Sequence, residues 1–149
     1  MRRPLAAAVA VLLAALATGA VAQVRAIAAP AAMYDGPSKA ARKLYAAPRG
    51  MPVEVLSTLG AWVKVRDAAG DVLWVERTDL ADRRAVVTTA IAAVRKDPAD
   101  AAAIVLAADR GVLLDLVDPA AGESPAGWVR VRHRDGVAGF VRSAEVWGL

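Results

Sequence analysis

The 149-residue chain contains no cysteine and only one histidine. Without cysteine it can form neither a disulfide nor a thiolate metal site, and one histidine cannot supply an ordinary zinc site. The chain also lacks the glycine-rich loop that cradles phosphate groups in nucleotide-binding proteins. We therefore expect a protein that uses no metal and no other cofactor.

The residue patterns of common hydrolases are missing as well. No serine stands in a Gly-x-Ser-x-Gly context that would mark a nucleophile. His133 follows a predicted strand and precedes a turn, which favours a surface role over a catalytic one. Asp79 and Asp82 flank a charged junction, and this placement is typical of a solvated turn and not of a glycosidase pair. The sequence predicts that the protein is not an enzyme.

The part of the chain that follows the N-terminus has only a small excess of positive charge. The formal net charge is +4, but Arg2 and Arg3 supply half of it. No tract of basic residues suits the phosphates of DNA or RNA. Nucleic acid is therefore excluded as an expected partner.

The first residues have the pattern of an export signal. Arg2 and Arg3 precede an apolar run over residues 5–16, and Ala20-Val21-Ala22 supplies the small residues that a signal peptidase recognises. We expect a signal peptide over residues 1–22, cleavage after Ala22, a periplasmic or secreted protein, and no membrane span after cleavage. The alternative is an uncleaved anchor, because residues 5–22 carry no charge over eighteen positions.

The remaining chain contains the same pattern twice. Gly50 returns as Gly111, 61 positions later, and Gly-Ala-Trp-Val-Lys-Val-Arg at 60–66 returns as Ala-Gly-Trp-Val-Arg-Val-Arg at 126–132, 66 positions later. The two offsets imply a five-residue insertion between Gly111 and the second copy of this segment. Such repetition predicts two small domains of one fold.

The repeat divides the chain into a leader over residues 23–30, a first domain over residues 31–82 and a second domain over residues 86–149. Alternating apolar and polar residues with glycine turns every ten or so positions predict short β-strands in both domains. The alanine-rich segment 99–108 has helical propensity, but it aligns without gaps with 38–47, so we interpret both as a loop followed by a short strand.

The order of these features resembles the bacterial Src-homology-3 domain family. Each unit has a Gly-x-Trp-Val-Lys-Val or Gly-Trp-Val-Arg-Val strand, a glycine hairpin, and Trp74-Val75 or Phe140-Val141. The family usually has tryptophan where Phe140 stands. The resemblance implies an all-β fold of two tandem, five-stranded, partly open barrels, typically exported, which serve as cell-wall-targeting or protein-binding modules.

The candidate binding residues lie on one face of the repeated strand. Val63 and Val65 point to the core, so Trp62, Lys64 and Arg66 share the opposite face, where an aromatic ring lies beside positive charge. This combination suits a peptide that carries acidic groups. The second copy of the face consists of Trp128, Arg130 and Arg132. The alternative is that each tryptophan caps an open barrel end or packs between the units.

Other aromatic residues are assigned by their context. Tyr34 and Tyr45 lie in the region that forms a ligand groove in related small barrels, and Tyr34 joins the candidate site. Trp74 and Phe140 stand in apolar runs, which favours packing in the core. Tyr34 corresponds to Arg95 in the second unit, so the two units need not bind the same ligand.

The sequence thus predicts a non-catalytic, exported binding module that recognises peptidoglycan peptide or an extended segment of an envelope protein. The alternative is a structural or assembly scaffold in an envelope complex without a small ligand.

Overall fold

The computed structural model describes residues 22–117 and 125–149, which form two antiparallel β-sheets of seven strands each. The described residues include two short 3-10 turns but no α-helix. Of the predicted signal peptide only Ala22 belongs to the described residues, and most of the inserted segment 118–125 lies outside them. No helix within the described ranges is long and apolar enough to cross a membrane.

The first sheet, which we call the first unit, contains the seven strands before the charged junction. These are β1 (Gln23–Ile27), β2 (Ala31–Tyr34), β3 (Lys43–Ala47), β4 (Pro52–Leu59), β5 (Trp62–Arg66), β6 (Val72–Glu76) and β7 (Leu80–Ala81). Their order across the sheet is β3-β2-β6-β5-β4-β1-β7, so strands β2 and β3 pack at one end and β1 and β7 at the other.

The second unit repeats this arrangement strand by strand. Its strands are β8 (Ala85–Thr88), β9 (Ala92–Arg95), β10 (Ile104–Ala108), β11 (Leu113–Leu116), β12 (Trp128–Arg132), β13 (Ala138–Arg142) and β14 (Val146–Trp147). Their order, β10-β9-β13-β12-β11-β8-β14, is the order of the first sheet with each strand replaced by its counterpart. The prediction of two all-β tandem domains is therefore confirmed.

Each unit has its own apolar core, built from the inward-facing residues of its strands, along which buried and less buried positions alternate. In β5, Val63 and Val65 are buried while their neighbours are not, and in β6 the same holds for Leu73 and Val75. Removing such side chains from water supplies most of the stability of a small sheet. In the second unit, Val131 and Val141 fill the equivalent positions of a separate cluster.

Several sequence-based expectations change in detail. The supposed leader contains β1, which pairs with β4 and β7 and is therefore part of the first sheet. With β1 and the two-residue β7 included, each sheet has seven strands and not five. The alanine-rich segment 99–108 forms no helix and ends in β10, as its alignment with 38–47 predicted.

The two units touch along the junction. The chain between β7 and β8 is only three residues long. Gly148, at the end of the second unit, fits tightly against its neighbours: a Cβ atom there would lie 2.8 Å from the Ala85 carbonyl oxygen and 3.1 Å from Cβ of Pro52. Since Pro52 belongs to β4 of the first unit, the C-terminal segment of one unit packs against the other.

Candidate ligand-binding surface

The outward side of β5 and β6 carries the aromatic residues of the first unit. Cross-strand pairing places Lys64 opposite Trp74 and Trp62 opposite Glu76, while β2 places Tyr34 opposite Trp74. Paired residues of adjacent strands project to the same side of a sheet. Tyr34, Trp62, Lys64 and Trp74 therefore form one surface, which we call the aromatic face.

Tyr34 and Trp62 are in direct contact. Their ring centroids lie 5.2 Å apart and their planes meet at 87°, the edge-to-face geometry that aromatic quadrupoles favour. Tyr34 is only 6% exposed, whereas Trp62 is half-buried. Tyr34 thus supports the indole from below, and Trp62 presents the surface that a ligand can reach.

Lys64 lies beside the second indole of the face. Its Nζ atom is 5.9 Å from the centroid of the Trp74 ring, within the range of a cation–π interaction. Among the described carboxylates none forms an ion pair with Lys64. Its charge is therefore available to an acidic ligand.

Arg66 and Glu76 near the face are both in ion pairs, whereas Lys43, opposite Tyr34 on β3, forms none among the described residues. Arg66 Nη1 lies 3.1 Å from Glu54 Oε2 across β4 and β5, so this predicted site residue is already neutralised. At the other end of β6, Lys39 Nζ lies 3.4 Å from Glu76 Oε1. Because Glu76 stands opposite Trp62, this second pair forms the rim of the face.

The expectation that Trp74 and Phe140 pack in the core is wrong. Both are half-buried, while their neighbours Leu73, Val75 and Val141 are buried. The apolar run over β6 hid the alternation, because tryptophan counts as apolar on either side of a sheet. The sequence did contain a signal for the outward position of Trp74. The hairpin pairs β6 with the Trp-Val-Lys-Val strand, and this pairing places Trp74 opposite the outward-facing Lys64.

The equivalent surface of the second unit is closed. Trp128 is 7% exposed, and the guanidinium carbon of Arg142 lies 4.4 Å from the centroid of its ring. Arg142 is held there by an ion pair with Asp100. Arg130 and Arg132 are exposed on this side of β12. The Trp128 indole on the same strand is not accessible to a ligand, because Arg142 covers it.

The residue that supports Trp62 is also replaced in the second unit. Arg95 stands where the first unit has Tyr34, and its Nη1 donates a hydrogen bond to the Ala102 carbonyl oxygen at 2.8 Å. No aromatic pair therefore forms at Arg95, and the two candidate surfaces differ in both shape and charge.

Tyr45 has a different role from Tyr34. Its hydroxyl donates a 2.8 Å hydrogen bond to Asp67 Oδ2. The other carboxylate oxygen, Asp67 Oδ1, accepts hydrogen bonds from the backbone N–H groups of Ala69 and Asp71. Burial of the ring, followed by the hydrogen bond to Asp67, raises the pKa of Tyr45 above its ordinary value. The Tyr45–Asp67 hydrogen bond holds the carboxylate in place, and the carboxylate in turn fixes the β5–β6 turn. In the second unit His133 takes the place of Asp67, with Nδ1 3.1 Å from Asp135 Oδ2.

Comparison with protein families gives a match to the bacterial SH3 domain over residues 28–82 and again over 88–148. A comparison with curated proteins gives no match. Two similar solved structures are NlpC1 and NlpC2 from Trichomonas vaginalis, which are 15% and 14% identical to this chain. Each has a TM-score of 0.39; the matches cover 95% and 87% of this chain, and 51% and 49% of the NlpC chains. The chain thus spans about half the length of each.

Proposed function

Because this chain belongs to the bacterial SH3 domain family, whose domains are binding modules, we propose that it is an exported, non-catalytic module that binds an extended peptide. The preferred ligand is the peptide of peptidoglycan. An extended segment of an envelope protein is the alternative ligand for the same surface. The binding surface is the aromatic face of the first unit.

The observation that carries this proposal is the juxtaposition of Trp62 with Lys64. An extended peptide lays planar amides and apolar side chains against aromatic rings, and the indole of Trp62 is accessible and held at a fixed angle by Tyr34. Lys64 supplies an unpaired charge for a carboxylate of the peptide. An acidic group next to an apolar segment therefore matches the chemistry of this face.

The proposal assigns binding to one unit. Trp128 is covered by Arg142, so the second unit offers only the exposed cations Arg130 and Arg132. Exposed cations attract an anionic surface, but the attraction is screened by salt. The contribution of the second unit to ligand affinity is thus electrostatic and small at physiological ionic strength.

The test is co-sedimentation of the chain from Gln23 onward with purified peptidoglycan sacculi at two salt concentrations. We expect binding that persists at the higher concentration and that W62A reduces about tenfold, since a stacked aromatic anchor contributes more than 1 kcal/mol. I91A is the matched control, because Ile91 is 77% exposed and lies in the second unit. Loss of all binding at high salt would contradict the proposal for peptidoglycan.

A scaffold role without a small ligand is the second candidate, and the end strands of the sheets favour it. Strands β3 and β10 each end their sheet and expose large apolar side chains, with Leu44 at 40% and Ile104 at 56%. Unpaired edges of this kind pair with another chain unless they are protected. Light scattering after size exclusion at several protein concentrations tests this role. A molecular mass that rises with concentration in the unsubstituted protein, and rises less in the I104K variant, supports assembly.

A further inference from the structure

A cleft between the two units is lined by residues outside the aromatic face, of which Met51 also packs against the core of the first unit. Its apolar part is lined from the first unit by Pro48, Met51 and Pro52 and from the second by Val87 and Leu113. The β5–β6 turn adds Asp67, whose carboxylate already accepts hydrogen bonds from the Tyr45 hydroxyl and the amides of the turn. These side chains belong to different sheets, so the surface they form exists only when both units are present.

The cleft continues into a strongly basic part. Pro48, Gly111 and Leu113 line both parts, which makes the two regions one continuous groove. The charged residues that line the basic part are Arg49, Arg83, Asp115, His133 and Arg134. Three guanidinium groups thus face a region that contains one carboxylate.

Only one of these arginines is neutralised inside the cleft. Arg83, from the junction, places Nη1 3.2 Å from Asp115 Oδ1, and its Nη2 lies 3.4 Å from the position of a Cβ atom on Gly50. Among the described residues no carboxylate pairs with Arg49 or Arg134. Arg49 comes from the first unit and Arg134 from the second, so each unit contributes one cation without an ion-pair partner to the lining of the groove.

We propose that this cleft is a second binding site, separate from the aromatic face, and that its ligand is an acidic peptide. An aliphatic side chain of the peptide occupies the apolar part against Met51 and Leu113. A carboxylate next to it binds the guanidinium groups of Arg49 and Arg134, which form charge-assisted hydrogen bonds with carboxylates.

The combination of the two parts decides between a peptide and a simple anion. A phosphate or sulfate ion would use the basic part alone and leave the apolar part exposed to water. A peptide with an aliphatic residue beside an acidic one uses both, and burial of the aliphatic side chain contributes in proportion to its area. Because the site draws one cation from each unit, its ligand would also hold the two units together.

The experiment is NMR titration of the chain from Gln23 onward, which retains every described strand, with the peptide acetyl-Leu-Leu-Asp-Glu. We expect backbone amide shifts at Gly50 and Gly111 and none at the Trp62 indole N–H. R49A and R134A should each weaken binding about tenfold, as expected for loss of a hydrogen bond to a charged group. R110A, which removes the same charge from a residue beside the lining, should change the affinity less than about twofold.

Three results would overturn the proposal. The neutral analogue acetyl-Leu-Leu-Asn-Gln-amide binding equally well would show that the cations do not act. Tripolyphosphate binding as tightly as the peptide would reduce the site to general anion attraction. Shifts confined to Trp62 and Lys64 would place the acidic peptide on the aromatic face. Because R49A leaves Trp62 intact and W62A leaves the cleft intact, failure of this site and failure of the proposed function are separately visible.

Discussion

Glu76 and Arg142 occupy equivalent positions, 66 residues apart, and carry opposite charges in otherwise matching ion pairs. Glu76 pairs with Lys39 in the first unit, whereas Arg142 pairs with Asp100 in the second. The partners are equivalent too, since Asp100 follows Lys39 by the 61-residue offset of that part of the repeat. The pair is thus conserved in place but reversed in sign.

The reversal accounts for the different exposure of the two tryptophans. Each of these residues stands opposite the tryptophan of the preceding strand: Glu76 opposite Trp62, and Arg142 opposite Trp128. A carboxylate has no attraction to the negative face of an indole, whereas a guanidinium stacks on it. The sign of one charge therefore leaves Trp62 accessible and covers Trp128.

Exchanging the pair should close the aromatic face. In the double variant K39D/E76R the ion pair re-forms with reversed sign, so the free energy of unfolding should stay within about 1 kcal/mol of the original. The new guanidinium should cover Trp62 and lower binding to sacculi to the level of W62A. K39A/E76Q is the control, because it removes the pair without adding a cation, and it should retain binding. Full binding by the reversed variant would show that the rim charge does not control access.

Removing Arg142 should open the second unit. In R142A the ring of Trp128 loses its cover and a cation–π contact of about 0.5–2 kcal/mol. With 5-fluorotryptophan in place of the four tryptophans, the ¹⁹F resonance of residue 128 should show a larger solvent isotope shift between H₂O and D₂O. R132A, which removes an exposed arginine from the same strand, should leave this resonance unchanged. An unchanged resonance in R142A would mean that other atoms cover the ring.

The burial of Tyr45, together with its hydrogen bond to Asp67, should make stability fall at alkaline pH. The pKa of Tyr45 is raised in the folded chain, so folding favours the neutral phenol. That contribution is fully present below the unfolded tyrosine pKa of about 10 and is lost as the pH rises above it. Urea unfolding at pH 8 and at about pH 11 measures the loss, which should be smaller in Y45F. D67N, which keeps an acceptor oxygen, serves as the control for the turn; equal losses in the original chain and in Y45F would exclude this role for Tyr45.

Much of the fold follows from alternation and repetition along the chain. Val63 and Val65 identify the core side of β5 without any structure, and the second copy of the strand confirms the pattern. Strand β1 was missed because only its four residues 23–26 alternate and its partners, β4 and β7, lie far along the chain. Local pattern cannot reveal a pairing that depends on where distant strands are placed.

The candidate site was only half visible for a similar reason. Trp62 and Lys64 share a face because they are two residues apart on one strand, and this is a local property. Trp74 joins them only through the register of β5 with β6, and Arg142 covers Trp128 through the same register of β12 with β13. The basic cleft needs the packing of one unit on the other, which no alternation within a strand encodes.

A single glycine should show how closely the strands of the second unit pack. Gly139 stands where the first unit has the core residue Leu73, and a Cβ atom on it would clash with the carbonyl oxygen of Arg95 in β9. Because that oxygen is backbone, G139A must displace β9 from β13, and we expect a loss of roughly 1–3 kcal/mol in unfolding free energy. G36A is the matched control, since its Cβ would meet only Ala41 Cβ at 3.5 Å. Thermal unfolding followed by circular dichroism compares the two variants, and equal melting temperatures would show that β9 yields without cost.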